Sequence, residues 1–396
     1  MSKIKENIEI FQWDEATFFS SKEDWDDLLE KSSADALFMS WAWMSNWWNA
    51  FSNDAMGLKI VVAKESDSKR LIAIAPLYLT DVRIKHAINV KRLQFIGNCW
   101  HGKSTMRTEL LEVIVDNEFV DQLWPVLWNF FETKIKWDEF ICQDMPVESS
   151  SYEYLVKSAQ LPKNNYLLRN VAQYKNYFLN LHDDFPTYLV RLGSGTRKRL
   201  YNRRKVLDSA NVIHFHEVND LDCDKDFDFL NYLHQLRWNK PAFSEETLLF
   251  NKMLAQTIEG GRAVRFSYIL CNEDVISIQY NYLINDRKYN IQAGFNPELF
   301  KKVSLGYLHF GYEIEQCYQN NLKRYYFLAG KGKNINYKAE LTNDSSDIVD
   351  FIIIKKTSLK ALYCLYDKAN HYFNVIKSTL SFNVFYTYFL TLFSRS

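Results

Sequence analysis

The sequence predicts an α+β protein of two similar halves, each a mixed, largely antiparallel sheet flanked by helices, with a helical tail at the C-terminus. Three observations carry this. A meander of apolar runs, LKIVVAKE, RLIAIAPLYL and VKRLQFIG, leads into an amphipathic helix, EFVDQLWPVLWNFFETK, and another strand, DEFICQD. The same order returns as RAVRFSYILC, VISIQYNYLI and KYNIQAGF, the helix SLGYLHFGYEIEQCYQ and the strand RYYFLAG. The length, 396 residues with 47% hydrophobic composition, suits two to three packed domains. The halves are expected at 1–175 and 176–345, with the tail at 346–396.

Local signals place the remaining elements. Residues 22–31 and 40–51 read as short helices, the second opened by Ser40 as N-cap and rich in tryptophan. A helix near SSYEYLVKSAQ closes the first half. The second half opens with a helix at 185–192, a basic helix at 196–210, the strand VIHFHEV, and helices at 226–238 and 245–258. In the tail, SLKALYCLYDKANHYFNVIK suggests one helix and SFNVFYTYFLTLF a second, very aromatic one.

Composition excludes several classes. Lys+Arg (48) balances Asp+Glu (48), so no global field draws the chain to nucleic acid or anionic lipid. The six cysteines lack the close pairs of zinc knuckles or disulfide scaffolds, and read as reduced thiols of a cytoplasmic protein. The charged N-terminus does not read as a signal peptide, and no apolar run is long enough to span a bilayer.

Four motifs have a chemical reading. Gly97-Asn98-Cys99-Trp100-His101-Gly102-Lys103-Ser104 satisfies the P-loop pattern after a strand. Trp100 and His101 suit a phosphate cradle poorly, however, and the preceding strands form a meander rather than a βαβ unit. His214 and His216 share one face of a strand, but spacing suggests no third metal ligand, and no metal is expected. The stretch 197–205 concentrates six cations in nine positions, so that Arg199 with Arg203, or Arg197 with Arg204, fall on a common helix face suited to a phosphate-bearing ligand. A solvated basic face is the plainer alternative. From Tyr289 onward a strand carrying Gln292 and Gly294 leads through a loop to a helix opening at Ser304-Leu305-Gly306-Tyr307. Such a helix mouth offers free N–H groups to a pyrophosphate.

These residues resemble the CelD-like group of GNAT-type acyltransferases, named for an association with bacterial cellulose biosynthesis. The resemblance covers about residues 20–345. Its carriers are Ser40-Trp41-Ala42-Trp43, Trp47-Trp48, Ala75-Pro76-Leu77, Leu93-Gln94-Phe95-Ile96-Gly97 and Thr108-Glu109, then the basic helix, Leu236-Arg237-Trp238, Tyr289, Gly294-Phe295-Asn296-Pro297, Ser304 with Gly306, Gly330 and Tyr337-Lys338. The general signature Arg/Gln-x-x-Gly-x-Gly is missing.

The resemblance implies two tandem GNAT-like domains, similar to the peptidoglycan-bridge aminoacyl transferases. It implies an enzyme that moves an acyl group from acetyl-CoA or another acyl-CoA to an amine or hydroxyl, on a nucleotide-linked sugar or polysaccharide precursor. In that reading Tyr337 is the acid for the departing thiolate and Lys338 stabilises negative charge. Gln292, Gly294, Ser304, Leu305, Gly306 and Tyr307 hold the donor, and Arg199, Arg203, Arg204, Arg237, Trp238 and Tyr289 hold the acceptor. Two alternatives stand beside it: an aminoacyl-tRNA-dependent transferase using the basic helix on RNA, and a non-enzymatic assembly factor at the cytoplasmic membrane face, using the aromatic tail for peripheral contact.

Overall fold

In the computed structural model, which describes residues 8–84, 88–208, 213–218, 223–330 and 333–379, both halves contribute to one sheet. The first half runs β1 (Ile8–Trp13), α1 (Glu15–Ser20), α2 (Lys22–Glu30), α3 (Trp41–Phe51), β2 (Met56–Glu65), β3 (Leu71–Ile84), β4 (Ile88–Phe95), a short β5 (Ile114–Val115), α4 (Val120–Lys134), β6 (Glu139–Pro146), α5 (Ser150–Gln160) and β7 (Leu167–Asn180). The second runs α6 (Phe185–Arg191), α7 (Ser194–Arg197), α8 (Arg204–Asp208), β8 (Ile213–Val218), α9 (Cys223–Trp238), α10 (Glu245–Thr257), β9 (Val264–Cys271), β10 (Asp274–Ile284), β11 (Arg287–Phe295), α11 (Leu305–Gln319), β12 (Arg324–Ala329), α12 (Lys333–Leu341), β13 (Ser345–Ile354) and α13 (Thr357–Thr379).

The strand order is β1-β2-β3-β4-β6-β13-β7-β12-β11-β10-β9-β8, with β5 on β3. Read from either end it gives the same sequence of parts. Every pairing is antiparallel except two at equivalent places, β4 with β6 and β11 with β12. At the centre the halves exchange their last strands. β7 passes beyond β13 to pair with β12, and β13 passes beyond β7 to pair with β6. The β7–β13 pair runs from Ser345↔Tyr177 to Ile354↔Leu167.

This corrects two expectations. The stretch given to the start of a helical tail is β13, whose buried run Phe351-Ile352-Ile353-Ile354 joins an aromatic residue to three β-branched ones, as suits a central strand. Helix resumes only at α13. The division near residue 175 falls inside β7, so a strand rather than a linker joins the halves.

Packing distinguishes the two halves. In α3 the Ser40 hydroxyl accepts the Trp43 N–H at 3.1 Å, and Trp43, Trp47 and Trp48 are buried in an apolar core. Under α11, by contrast, the sheet is polar. His309 is held between the hydroxyls of Ser267 (2.9 Å) and Ser277 (2.7 Å), and burial pushes its imidazole down to about 3, so it is neutral. Buried Lys288 pairs with Glu313 and Glu217, tying α11 to the sheet.

The basic stretch is not one helix. A π-turn, Lys198–Asn202, separates α7 from α8. The cause is α11, which approaches so closely that a Cβ at Gly311 would overlap the Leu200 carbonyl oxygen.

Candidate active site

The two parallel pairs set the site. β4 and β6 are in register from Arg92↔Glu139 to Gln94↔Ile141, and β11 and β12 from Arg287↔Arg324 to Tyr289↔Tyr326. Beyond each, the strands part and leave backbone groups to satisfy. In the first half the chain fills the gap itself. Thr108 bonds the β4 side, its N–H donating to Asn98 Oδ1 (3.3 Å) and its hydroxyl to the Gly97 carbonyl (2.8 Å). Leu111 bonds the β6 side, its N–H donating to the Asp144 carbonyl at 3.2 Å. Arg107 locks the wedge through a two-armed ion pair with Asp144.

In the second half no backbone segment bridges the gap among the described residues. Asn296 N–H donates to Ile276 on β10 at 3.0 Å, so by alternation the Ala293 N–H faces the uncovered edge of β11. There it donates to the side-chain oxygen of Gln292 at 3.0 Å. The mouth of α11 adjoins this edge. Ser304 occupies the N-cap without capping by its side chain, and a Cβ at Gly306 would lie 3.1 Å from the Phe295 ring. The Arg237 guanidinium covers Phe295 at 4.3 Å and Trp238 at 4.6 Å.

Tyr337 comes from α12 on the other side and stacks on Phe310 at 5.9 Å. Burial pushes its phenol up to about 12, with the Arg237 charge pulling the other way. Tyr307 is next to it at 6.2 Å and donates its hydroxyl to Glu340 at 2.9 Å, while Arg199 pairs with Glu340 and covers the Tyr307 ring at 4.3 Å. Arg199, Arg237, Trp238, Gly306, Tyr307 and Tyr337 therefore gather around one opening.

Other expected site residues are engaged elsewhere. Lys338 directs its amine at the carbonyls of Phe327 (2.6 Å), Leu328 (2.9 Å) and Ala329 (3.1 Å), holding the bulged end of β12, where Leu328 has φ 62°. Burial brings that amine down to about 8. Gly294 serves packing, because a Cβ there would lie 3.0 Å from Leu233 on α9. Tyr289 is fully buried, stacked on Tyr326 at 4.5 Å, with its hydroxyl donating to Asp35 of the first half at 3.0 Å. Arg204 pairs with Glu315 between the rings of Tyr201 and Tyr312. Arg203 is part-exposed at the end of the π-turn.

Sequence reasoning assigned no role to the carboxylates where the halves meet. Glu109 is buried and accepts the Ala329 N–H (2.9 Å) and the Asn176 side chain (3.0 Å), so it ties the first-half wedge to the end of β12. Glu112, also buried, is pushed up to about 8 by burial, with the charge of Asp35 adding. No local pattern marks a carboxylate such as Glu109, whose partners Asn176 and Ala329 lie 67 and 220 residues away. The P-loop pattern lies in the loop after β4 and leads into no helix, so it lacks the helix N-terminus on which a P-loop's backbone cradle depends.

Comparison with known proteins agrees with this layout. Residues 194–339 match the family described as an acetyltransferase (GNAT) domain. No curated protein matches the sequence. Among solved structures the chain is similar to FemX, at TM-score 0.57 and 9% identity, over 89% of this chain and 99% of that one. It is similar to a conserved protein of unknown function from Bacteroides thetaiotaomicron, at TM-score 0.50 and 9% identity, over 85% and 96%. A tandem GNAT protein from the clavulanic acid biosynthesis pathway aligns at TM-score 0.44 and 10% identity, over 87% and 98%. For FemX and the Bacteroides protein, each at 9% identity, the likeness is one of fold. The second half carries a GNAT-type acetyltransferase domain, and the strand order of the first half repeats it in tandem.

Proposed function

We propose that this protein is an acyl-CoA-dependent acyltransferase of the CelD-like group, acting in the cytoplasm on an amine or hydroxyl of a sugar or polysaccharide precursor. The observation that carries the reading is the uncovered β11 edge, with the α11 mouth on one side and Tyr337 and Arg237 meeting across it. The residues fit a thioester donor. First-turn N–H groups of α11 suit a pyrophosphate, and the Ala293 N–H, held by a side chain that can swing away, suits an amide of the donor's arm.

The acceptor's nucleophile attacks the thioester carbonyl, a C–N or C–O bond forms and the C–S bond breaks; the nucleophile's proton passes to solvent, the thiolate takes a proton from Tyr337, and solvent returns a proton to the phenolate. A phenol pushed up to about 12 keeps its proton at neutral pH, as a donor to that sulfur must. Lys338 acts at one remove, by fixing the strand end beside Tyr337. Arg237 and Trp238, exposed at the rim, are placed to meet the acceptor. The tRNA alternative draws less support from the basic stretch, because Arg199 and Arg204 are spent on Glu340 and Glu315. The aromatic segment 381–393, on which membrane contact rests, lies outside the described residues, and among those described no helix is long and apolar enough to cross a membrane.

Calorimetry with coenzyme A tests the reading. The wild type is expected to bind and Gly306→Asp to lose binding while keeping its circular dichroism, because a carboxylate then faces the pyrophosphate. Unchanged affinity in a folded Gly306→Asp protein overturns it.

A further inference from the structure

A cavity of about 600 Å³ lies in the first half, on the sheet face crossed by α13. Its lining comes mainly from β3, β4, β13, β7, α13 and the loop after β4 and includes none of Arg199, Arg237, Trp238, Gly306, Tyr307 and Tyr337, so this space is separate from the acyl-transfer site. One wall is the loop carrying Trp100 and His101, the other is α13 with Tyr363 and Tyr366, and Val82 and Ile352 form the floor. The loop has a fixed shape. Its Gly102 sits where a Cβ would overlap Cys99 Sγ, and His101 holds φ 51°.

Three cations border the cavity, each with a carboxylate partner of its own. Arg92, Lys103 and Arg169 line it. The lining carboxylate, Asp81, alternates with Thr80 and Val82 and so points to the opposite face, where it pairs with Lys91 at 3.7 Å. Glu139 beneath is saturated, accepting from Arg92 Nε at 2.7 Å and from the Tyr363 hydroxyl at 3.0 Å. Arg92 spends Nη1 on the Trp100 carbonyl at 2.9 Å, and its Nη2 makes no hydrogen bond. Arg169 is held by a two-armed pair with Asp367 and by the Tyr363 and Tyr366 rings, so it shapes the wall, whereas Lys103 meets Glu246 in one half-exposed ion pair at 3.3 Å, a contact weak enough to be exchanged for a ligand.

We infer that the first half binds an organic phosphate bearing a flat ring, of nucleoside monophosphate size, between the 99–103 loop and α13. The unused Arg92 Nη2 and the Lys103 amine, released from its half-exposed pair with Glu246, suit a phosphate, and the Trp100 and tyrosine rings match a planar group. The volume falls in the range of small-molecule sites. This goes beyond the acyl-transfer reading and does not depend on it.

Calorimetry on the full chain with 5′-UMP and 5′-GMP, in the presence of saturating coenzyme A, decides it. Lys103→Glu and Trp100→Ala are the variants, since Lys103 makes only the half-exposed ion pair with Glu246 and the Trp100 ring makes no hydrogen bond within the fold. At least one nucleotide should bind with saturable heat, with inorganic phosphate and uridine each weaker by roughly tenfold or more, and each variant should weaken nucleotide binding by roughly tenfold. Absence of saturable heat from both nucleotides overturns the inference. So does binding that neither variant alters, or inorganic phosphate binding as tightly as the nucleotide. Coenzyme A affinity, measured on the same samples, reports separately on the acyl-transfer site.

Discussion

Where β4 leaves β6, the gap is refilled by Thr108 and Leu111, bonded to both strands and locked by Arg107 on Asp144. Where β11 leaves β12, the gap is lined by side chains, and the Ala293 N–H rests on its neighbour Gln292. The topology creates the same unsatisfied backbone twice. One copy answers with its own chain, and the other remains able to take a ligand. The acetyltransferase match at 194–339 falls on the open copy.

The comparison can be broken at four places. The largest effect is expected at Glu112, next to the wedge. Its carboxyl is raised from 4.5 to about 8, so between those values the folded chain holds the extra proton and stability falls as pH rises, levelling above about 8. Glu112→Gln should remove this slope and stabilise the protein above pH 8 by a few kcal/mol on the order-of-magnitude scale, measured by urea unfolding across pH. Arg107→Met should unlock the wedge and leave Asp144 buried and unpaired, costing about 3 kcal/mol with coenzyme A affinity unchanged. Altered donor affinity in that variant would mean that the two partings are not independent.

At the open copy, Tyr337→Phe should lower kcat about 100-fold without loss of melting temperature, as removal of a proton donor does. A smaller effect is expected from Lys338→Met, which leaves three carbonyls without their donor and costs about 2 kcal/mol. The native amine falls from 10.5 to about 8, so the unfolded chain binds more protons between those values and stability rises with pH there. The variant should lack that rise, read as a flat difference curve from pH 8 to 10.5 in thermal melts.

Much of the fold was legible because its signals are local. The period-two runs of β2 to β4 and β9 to β11, and the Ser40 cap of α3, stand in the sequence itself. The exchange of β7 and β13 was not, because Ser345 finds Tyr177 across the chain and no short window records such a partner. The same limit separates the site residues. Gly306, Tyr307 and Tyr337 sit on elements whose order was readable, and they do converge. Gly294 was misjudged because a glycine needed for helix packing looks like a glycine needed for a phosphate. Arg204 likewise reads as a free cation until the π-turn carries it onto Glu315.

A crystal structure of the full chain with coenzyme A bound tests the central claim most directly. The claim predicts coenzyme A between β11 and β12, with its pyrophosphate at the first turn of α11 and its thiol directed toward Tyr337. Coenzyme A lodged instead at the parting of β4 and β6, with the 107–111 wedge displaced, would contradict it.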